Sequence, residues 1–558
     1  MAGTWQALAN QPTFEMSTMI LLSDGRVMVQ EEGTKHWHAL TPDDNGSYVN
    51  GTWTVLADMS FWRRYYASGI LKDGRVIICG GEQSGDVGDT NKGEIYDPVA
   101  DSWTSIKTPS WTQVGDAASC ILPDGRLLIG ALTTTACIIY DPTTDSWTTA
   151  GSKAVRSNEE SWVLQPDNTI VTTQCWSPYQ TEKYVIANDT WQNEGSLPVT
   201  LCDTVMHEIG AGVLMYNGHT IFFGAAKSGN VGKTAIYTPP ATATGTGTWA
   251  AGPDIPQVSN QAIVANDCPA TLLPNGKVLT TAAPWQNNNW GGPVYFFEYD
   301  PTANTITQAP TPSNNGTFPA GQSSQLYWSR MMLLPTGQVM FSPSSKNVQV
   351  YTPDGGPQEG WRPTISSVTA HGTLFFNDYF VLRGTQLNGL SQANMYGDDC
   401  SSATNYPLVR LRNTTTNKIY YGRTYDFSTL GVATGPSMQS ATFSLSGIPD
   451  GDYELCVIAN GISSHCQFLN WRRSNKPHIL DGGLKRVLEV FGKEVAEGDP
   501  WDRFKWLIDP EVNELRRQLK YLQNSVRRLE SLIPARELPR AGKEVAREAE
   551  AEDRAKNE

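Results

Sequence analysis

Short apolar runs, each preceded by a tight turn, recur along the first two thirds of the chain. The turn has the form x-Asp-Gly or a close variant, and aliphatic and β-branched residues follow it. Turns of this type between apolar runs predict β-hairpins. The seven copies are SDGRVMVQ (23–30), KDGRVIICGG (72–81), PDGRLLIGA (123–131), PDNTIVTTQ (166–174), YNGHTIFFGA (216–225), PNGKVLTTA (274–282) and PTGQVMFSP (335–343).

A second unit, a Tyr followed by a turn and usually a Trp, comes after most of these hairpin turns. It reads YDPVADSW (96–103), YDPTTDSW (140–147), YVIANDTW (184–191), YTPPATATGTGTW (237–249), YDPTANTI (299–306) and YTPDGG (351–356), with a degenerate first copy at 38–53. Successive hairpin turns are 43 to 61 residues apart. This period, with two hairpins per unit, predicts a mainly β chain with a seven-bladed β-propeller over residues 1–360. The alternative, an array of β-sandwiches, would not repeat the same turn and aromatic pair seven times.

Alternating apolar and polar residues continue over residues 361–474. Runs such as YFVLRGTQL, YPLVRLRN, SATFSLSGI and YELCVIANG predict short strands, and the length suits an immunoglobulin-like β-sandwich. The repeat resembles the kelch repeat. A kelch propeller followed by a domain that opens RPTI and ends YELCVIANGISS resembles galactose oxidase and its glyoxal-oxidase relatives.

Residues 475–558 have a different composition, with 17 acidic and 17 basic residues. Apolar residues within 512–533 follow a 3-4-3-4 spacing, which is the a/d seam of a coiled coil. We therefore expect a charged α-helical tail that joins chains into a homo-oligomer. A helix packed on its own domain is the alternative.

Composition excludes several classes of protein and partner. The chain has 39% hydrophobic and 10% aromatic residues, which excludes a wholly disordered protein, and its net charge of −14 argues against nucleic-acid binding. The sequence contains no run of about 18 apolar residues, so it predicts no transmembrane segment. The N-terminal residues lack the features of a secretory signal, so we expect a cytoplasmic protein, or an extracellular one if a signal has been removed.

The nine Cys residues include no CxxC pair. They predict mostly free thiols in a reducing compartment and not a disulfide framework. Cys456 and Cys466 lie on neighbouring predicted strands, and we expect them to pair only in an oxidising compartment.

The resemblance to galactose oxidase implies a copper radical site. Such a site contains two Tyr, two His and a Cys cross-linked to one Tyr, with an aromatic ring over the link. The matching positions keep Tyr65 and Tyr327. The other four hold Met16 for the Cys, Trp328 and Tyr425 for the two His, and Gln83 for the stacking Trp. Because Cu(II) prefers imidazole ligands, we expect copper to be absent.

Carboxylates occupy the matching position, at the start of the first strand, in four successive repeats. They are Asp116, Glu159, Glu208 with His207 beside it, and Asp267. First strands line a propeller channel, so we expect these groups to converge and to act with Tyr65, Tyr327 and Tyr425 on a ligand. Converging carboxylates bind a cation such as Ca²⁺ or another divalent ion, share a proton, or pair with Arg. Hydrated side chains, or neutralisation by neighbours such as Arg64 and Arg330, are the plainer alternatives.

Two Trp residues stand in a polar, Gly-rich loop, PWQNNNWGG. Trp285 and Trp290 are typical of sugar-stacking residues, although packed loop anchors fit the pattern equally well. We therefore expect a protein that binds a small molecule or carbohydrate in an acidic channel. The alternatives are an enzyme that uses the carboxylates and Tyr residues for acid/base or metal-assisted chemistry, and a copper radical alcohol or aldehyde oxidase.

Overall fold

The computed structural model describes residues 3–82, 88–202, 207–228, 230–285, 292–312, 326–370, 379–395 and 402–472. These residues are mainly β-strands and turns. Three short 3-10 helices are at Ile186–Asn188, Leu326–Trp328 and Glu359–Trp361. The described part of the chain contains no helix long and apolar enough to cross a membrane. The helical tail at 475–558, its seam at 512–533 and the homo-oligomer lie outside these residues and stay predictions.

Seven antiparallel sheets follow one another along the chain and confirm the predicted seven-bladed propeller. Blade 1 contains Met16–Leu21, Val27–Glu31, Trp37–Thr41 and Thr52–Leu56; blade 2 contains Ala67–Ile70, Val76–Cys79, Gly93–Asp97 and Ser102–Ser105; blade 3 contains Ser119–Ile121, Leu127–Gly130, Cys137–Asp141 and Ser146–Ala150. Blade 4 contains Val163–Leu164, Thr169–Thr173, Gln180–Val185 and Thr190–Ser196; blade 5 contains Gly212–Leu214, Thr220–Ala225, Gly232–Thr238 and Thr248–Ala251.

The last two blades each include a strand from elsewhere in the chain. Blade 6 contains Ala270–Leu272, Val278–Pro284, Tyr295–Asp300 and Thr305–Gln308, with additional pairing by Ile263–Val264 and Asn394–Met395; blade 7 contains Arg330–Leu333, Val339–Ser342, Gln349–Thr352 and Thr4–Ala7. The N-terminal strand Thr4–Ala7 pairs antiparallel with Gln349–Thr352. The chain's first strand therefore completes the last blade, which satisfies an edge that would otherwise be open.

The recurring Tyr and Trp residues tie each blade to the one before it. Asp101 accepts hydrogen bonds from the Tyr96 hydroxyl at 2.8 Å and from the Ala57 backbone N–H at 2.9 Å, and the Trp103 indole donates to the Ala57 carbonyl at 2.9 Å. The same bonds recur one blade later among Tyr140, Asp145, Trp147 and Lys107. The sequence repeat thus encodes the junction between blades.

The residues after the propeller form an eight-stranded antiparallel sheet. Its hydrogen-bonded order is Thr364–Ala370, Tyr379–Thr385, Gln439–Ser444, Ile419–Tyr425, Leu408–Asn413, Gly451–Ala459 and Ile462–Ser463, with Gln467–Trp471 also on Gly451–Ala459. One apolar cluster, which includes Phe443, Val457 and Trp471, forms its core. The immunoglobulin-like sandwich and the domain limits at 360 and 474 stay predictions.

The hairpin turns of the propeller contact this second sheet region, and we call their side of the propeller the turn face. A Cβ at Gly25 would lie 2.6 Å from the Tyr421 ring, so only Gly fits there. The Leu430 N–H donates to the Pro123 carbonyl at 2.9 Å, and Trp361 contacts the Tyr216 ring. First strands begin at the opposite end of each blade, which we call the strand-start face.

A segment of the second sheet region enters the centre of the propeller. We call residues 388–406 the channel hairpin; its residues 396–401 lie outside the described ones. The Gln392 side chain accepts a hydrogen bond from Leu164 N–H of blade 4 at 3.0 Å, and the Ser402 hydroxyl donates to the Met19 carbonyl of blade 1 at 2.9 Å. Asn394 pairs with Thr271 of blade 6. Because this pairing is antiparallel, the chain at Asn394 runs from the turn face toward the strand-start face.

Cys456 and Cys466 form a disulfide bond with a Cα–Cα distance of 4.4 Å. This is the pair that the sequence indicated for an oxidising compartment, and the fold brings Cys466 back beside the strand Gly451–Ala459. The other described cysteines are free and buried: Cys79, Cys120, Cys137, Cys175, Cys202 and Cys268.

Candidate functional site

Tyr65 and Tyr327 contact each other at the strand-start face. Their ring centroids are 6.4 Å apart with an interplanar angle of 72°, an edge-to-face arrangement. Tyr65 precedes the first strand of blade 2 in a left-handed conformation with φ of 53°. The guanidinium carbons of Arg64 and Arg330 each lie 5.7 Å from the Tyr65 ring centroid. Two aromatic rings and two cations thus share this part of the face.

A carboxylate cluster lies near these rings. Asp116 is 7% exposed, and burial raises its pKa well above the usual range, with the charges of Glu159 and Glu82 raising it further. Glu82 has a raised pKa too, mainly through burial and the Glu159 charge, and it shares a side-chain hydrogen bond with Asp116. Two carboxyl groups can share a hydrogen bond only if one retains a proton. We call Glu82, Asp116 and Glu159 the acid cluster.

The other two predicted carboxylates have different neighbours. The Asp267 backbone N–H donates to the Ile209 carbonyl at 2.7 Å, and burial followed by the Asp267 charge raises the pKa of Tyr327. The Glu208 charge contributes to the raised pKa of Cys175. The structure therefore brings Asp116 and Glu159 together, while it places Asp267 beside Tyr327 and Glu208 near Cys175.

The arginines near the face are held by specific partners. The Arg64 guanidinium forms an ion pair with Glu32 at 3.1 Å, and its charge also lowers the pKa of Glu82. The Arg330 guanidinium, which is 2% exposed as a residue, donates to the Tyr327 and Ser329 carbonyls at 2.5 and 3.0 Å. Arg330 therefore positions the backbone beneath Tyr327, while Arg64 partly offsets the acid cluster.

Met16 and Tyr425 are not placed as the sequence indicated. Met16 is fully buried within the main apolar cluster, so it contacts the core and not a ligand. Tyr425 ends the strand Ile419–Tyr425, which pairs with Gln439–Ser444, and its ring contacts Tyr379 and Arg423. The backbone N–H of the adjacent Thr424 donates to the Ser23 carbonyl at the turn face. Tyr425 therefore lies at the opposite end of the blades from Tyr65, because the channel hairpin, and not the 419–427 segment, enters the propeller.

The other predicted ligand-contacting residues divide between described and undescribed parts of the chain. Trp328 ends a 3-10 helix, and its ring lies 5.8 Å from that of Tyr327. Trp285 is half-buried against the core shared by blades 5, 6 and 7, and its backbone N–H donates to the Ala262 carbonyl. This packing favours the loop-anchor interpretation of Trp285. Gln83 and Trp290 lie outside the described residues.

His207 belongs to a stack at the rim of blades 4 and 5. Its ring lies 3.8 Å from that of Trp176 at an interplanar angle of 18°, and the Arg156 guanidinium carbon lies 3.3 Å from the Trp176 centroid. His207 Nδ1 is 3.4 Å from the Cys175 carbonyl. Trp176 is 40% exposed, so its edge remains open to solvent between the two stacked groups.

Among the described residues, those at the positions that the resemblance assigns do not fit a copper radical centre. The other described histidines, His36, His38, His219 and His465, bond to Asp58, Glu31, Thr238 and Glu359 respectively. Within the described ranges, no group of three His, Cys, Asp or Glu side chains is arranged to hold a metal ion. Neither imidazole pairs nor a thiol accompany Tyr65 at the positions that the resemblance assigns.

Sequence reasoning missed Glu82 and Trp176. The matching position of the repeat lies at the start of each first strand, whereas Glu82 and Trp176 follow the second strands of blades 2 and 4. Second strands end at the strand-start face, because they run antiparallel to first strands. The Gly80-Gly81 pair before Glu82 was the available signal, since paired glycines allow close approach of the backbone to neighbouring loops.

Comparison with known sequences confirms the resemblance to galactose oxidase in a local match. Two galactose oxidase sequences from Gibberella zeae are each 42% identical to this chain over 55 residues, which is 10% of this chain. The match spans 8% of those relatives' length. No protein-family model matches the chain.

Two solved structures show distant likeness. A fungal alcohol oxidase of the AA5 family in complex with copper is 15% identical, with a TM-score of 0.48, over 84% of this chain and 99% of that one. A streptogramin B lyase is 12% identical, with a TM-score of 0.42, over 63% of this chain and 99% of that one. At these TM-scores the likenesses carry no argument about this chain.

Proposed function

We propose that this galactose-oxidase-like propeller binds a small, cationic, polyhydroxylated molecule at its strand-start face, without copper radical chemistry. The acid cluster supplies negative charge, and Tyr65 and Tyr327 supply aromatic surface and hydroxyl groups. An amino sugar has a positive charge for the acid cluster and a hydroxylated ring for the two tyrosines. The observation that carries the proposal is Asp116, buried against two further carboxyl groups beside the tyrosine pair.

The acid cluster favours a cation because its charge is incompletely offset. Arg64, whose charge lowers the pKa of Glu82, is already paired with Glu32. A bound ammonium group would favour the ionised forms of Asp116 and Glu82, since opposite charges lower carboxyl pKa values. Binding should therefore release a proton, and affinity should rise with pH until the cluster is ionised.

The tyrosine pair favours a ligand with both apolar and hydroxyl faces. The edge-to-face contact leaves the rings at a steep angle to each other, so a ring-shaped ligand can contact one face while its hydroxyls meet the other ring's phenol. Arg330 anchors the backbone of Tyr327 from below. The aromatic pair is thus supported by buried contacts, which suits a preformed site.

Copper radical oxidation is not part of this proposal. Met16 is buried in the core and Tyr425 lies at the turn face, so the first does not supply a cross-linked thiol and the second does not supply an imidazole. A divalent ion such as Ca²⁺ remains an alternative occupant of the acid cluster. Calcium prefers six to eight oxygen ligands, and no such set is evident among the described carboxylates.

An enzymatic role is the second candidate. Glu82 and Asp116 share a proton, and both have raised pKa values. A carboxyl pair in which one member retains its proton can act as general acid and general base. Turnover of the bound molecule, and not binding alone, distinguishes this candidate.

The disulfide also bears on where the protein acts. Such bonds persist in oxidising compartments, so Cys456–Cys466 favours the extracellular alternative over the cytoplasmic one.

Calorimetric titration with galactosamine, galactose and galacturonate tests the proposal. We expect galactosamine to bind most tightly, galactose weakly and galacturonate not at all, because only the first carries a positive charge. The double variant Asp116→Asn/Asp267→Asn should lose galactosamine binding while retaining the propeller's circular dichroism spectrum. Equal binding of all three sugars, or undiminished binding by the double variant, contradicts the proposal.

The matched control is Asp124→Asn. Asp124 is an exposed carboxylate at the turn face, where it pairs with Arg126 at 2.7 Å. This substitution removes the same charge from the opposite side of the molecule, so affinity should stay that of the unsubstituted protein. A comparable loss of affinity in Asp124→Asn would show that net charge, and not the acid cluster, governs binding.

A further inference from the structure

Two buried cysteines meet at the junction of blades 4 and 5. Cys175 follows the second strand of blade 4, and Cys202 lies on the connection from blade 4 to blade 5. Each is 1% exposed, and the Cys202 thiol donates to the Cys175 carbonyl at 3.2 Å. The Cys175 thiol donates to the Glu159 carbonyl at 3.6 Å, and the neighbouring Cys202 thiol, with burial, raises the pKa of Cys175. The two sulfur atoms are therefore neighbours in the folded protein.

The other described free cysteines have different surroundings. Cys120 donates to the Ile121 carbonyl and accepts from Gln392, while Cys268 contacts the Ala265 carbonyl and the Thr280 hydroxyl. Cys79 and Cys137 lie near the buried cations Arg63 and Lys153. Among the described free cysteines, Cys175 and Cys202 are the pair in which the thiol of one donates a hydrogen bond to the other residue.

We propose that Cys175 and Cys202 form a disulfide bond when the chain folds in an oxidising compartment. The proposal is independent of the ligand site. It is consistent with the Cys456–Cys466 disulfide, which itself requires such a compartment to persist. The bond would join the connection between blades to the loop that carries Trp176, and so fix the base of the Arg156–Trp176–His207 stack.

The chemistry needs a small-molecule disulfide, such as oxidised glutathione. The thiolate of one cysteine attacks it, which releases one glutathione thiolate and forms a mixed disulfide. The thiolate of the second cysteine then attacks the protein sulfur of that mixed disulfide and releases the second glutathione. Two protein thiols are oxidised, and one molecule of oxidised glutathione is reduced to two thiols. Because both thiols are buried once the chain is folded, the thiol–disulfide exchange takes place during folding and is slow in the native protein.

Peptide mapping tests the proposal directly. The full chain is refolded in a glutathione redox buffer, free thiols are alkylated in denaturant, and the protein is digested with trypsin without reduction. Cys175 falls in the peptide 157–183 and Cys202 in 184–227, whereas Cys456 and Cys466 share the peptide 424–472. We expect 157–183 linked to 184–227 as the major form, and the same link in protein exported to a bacterial periplasm. Both peptides recovered unlinked and alkylated, or linked to other cysteines, would overturn the proposal.

Two variants complete the test. Cys175→Ser should leave Cys202 alkylated, whereas Cys137→Ser, which also removes a buried thiol from the neighbouring blade, should keep the linked peptides. In a Cys456→Ser background the remaining disulfide is the proposed one, so adding dithiothreitol should lower the melting temperature. An unchanged melting temperature after complete reduction would contradict a bond that stabilises the blade junction.

Discussion

The rings of Tyr65 and Tyr327 contact each other although blade 1 lies between their blades, with centroids 6.4 Å apart. The contact is possible because Met16, at the matching position of blade 1, is buried in the core and presents no side chain to the face. Where the resemblance to galactose oxidase implies a cysteine, this chain has a buried methionine, and two tyrosines contact each other directly. This arrangement supports a binding face that does not depend on a metal.

Copper chemistry is the first property to test. Protein supplied with copper should show no radical absorption band and should release no peroxide from galactose or glyoxal, because no thiol or imidazole occupies the matching positions. The measurements are optical spectroscopy, metal analysis and a coupled peroxidase assay. Stoichiometric copper together with peroxide release would contradict the proposed function.

Asp116→Asn should raise the melting temperature at neutral pH. The folded-state pKa of Asp116 is raised, so its proton-linked stability is fully present below the pKa of the unfolded chain and is lost as pH rises through the folded value. The gain from the substitution should therefore shrink toward zero in acid, as followed by thermal melts across pH. Asp141→Asn is the control of opposite sign: a Thr143 hydroxyl lowers the pKa of Asp141, so this variant should lose stability at neutral pH.

The buried lysine of blade 4 should be essential for stability. Lys153 Nζ lies 2.5 Å from Glu160 and 3.3 Å from Glu182, and burial raises the pKa of Glu160 to about 7 despite this contact. Lys153→Met leaves two buried carboxyl groups without a cation, which should cost about 3–5 kcal/mol in urea denaturation at neutral pH. The deficit should decrease as pH falls and Glu160 takes up a proton.

Lys233→Met is the matched control for that variant. The Lys233 side chain pairs with Asp254 at 2.7 Å but is 25% exposed, and Asp254 is 52% exposed. Exposed pairs contribute about 0–1 kcal/mol, so this substitution should change stability little. Similar losses in both variants would show that burial of Lys153 is not the cause.

The junction between blades 2 and 3 should weaken when its shared aspartate is removed. Asp145 accepts from the Tyr140 hydroxyl and from Lys107 N–H, both at 2.9 Å, and its φ of 48° is one that Gly adopts readily. Asp145→Gly should cost about 1–3 kcal/mol in chemical denaturation because two hydrogen bonds are lost. Thr144→Gly, one residue away in the same turn, should cost less.

The base of the channel hairpin depends on Asn460. Its side chain donates to the Ser391 carbonyl at 2.7 Å and accepts from Leu390 N–H at 3.0 Å. Asn460→Ala should lower stability by about 2–3 kcal/mol, since the Asn460 side chain is buried and both bonds are lost. Asn417→Ala controls for the backbone, because Asn417 also has a positive φ, of 59°, but lies in an exposed turn. If both variants lose the same stability in thermal melts, the loss comes from the positive-φ backbone and not from the Asn460 hydrogen bonds.

The sequence by itself determined the propeller, because its signals are local. Each of the seven turns closes a hairpin, and in blades 2 and 3 the Asp and Trp of the second unit bond to the blade before it, so seven copies imply seven blades. The resemblance to galactose oxidase, aligned through the repeat, implies that Tyr65 and Tyr327 are kept and that Met16 and Trp328 stand in place of a Cys and a His. The contacts of these residues could not be predicted, because the repeat identifies only one position on one strand of each blade.

Only the tertiary structure decided which segments meet at the strand-start face. Glu82 reaches Asp116 from the end of a different strand and a different blade, and the channel hairpin takes the place that the sequence assigned to the Tyr425 segment. Cys175 meets Cys202, and Trp176 lies between Arg156 and His207, through loops with no shared periodicity. Such contacts depend on the closure of the ring and the path of its loops, and local propensity and spacing carry no information about either.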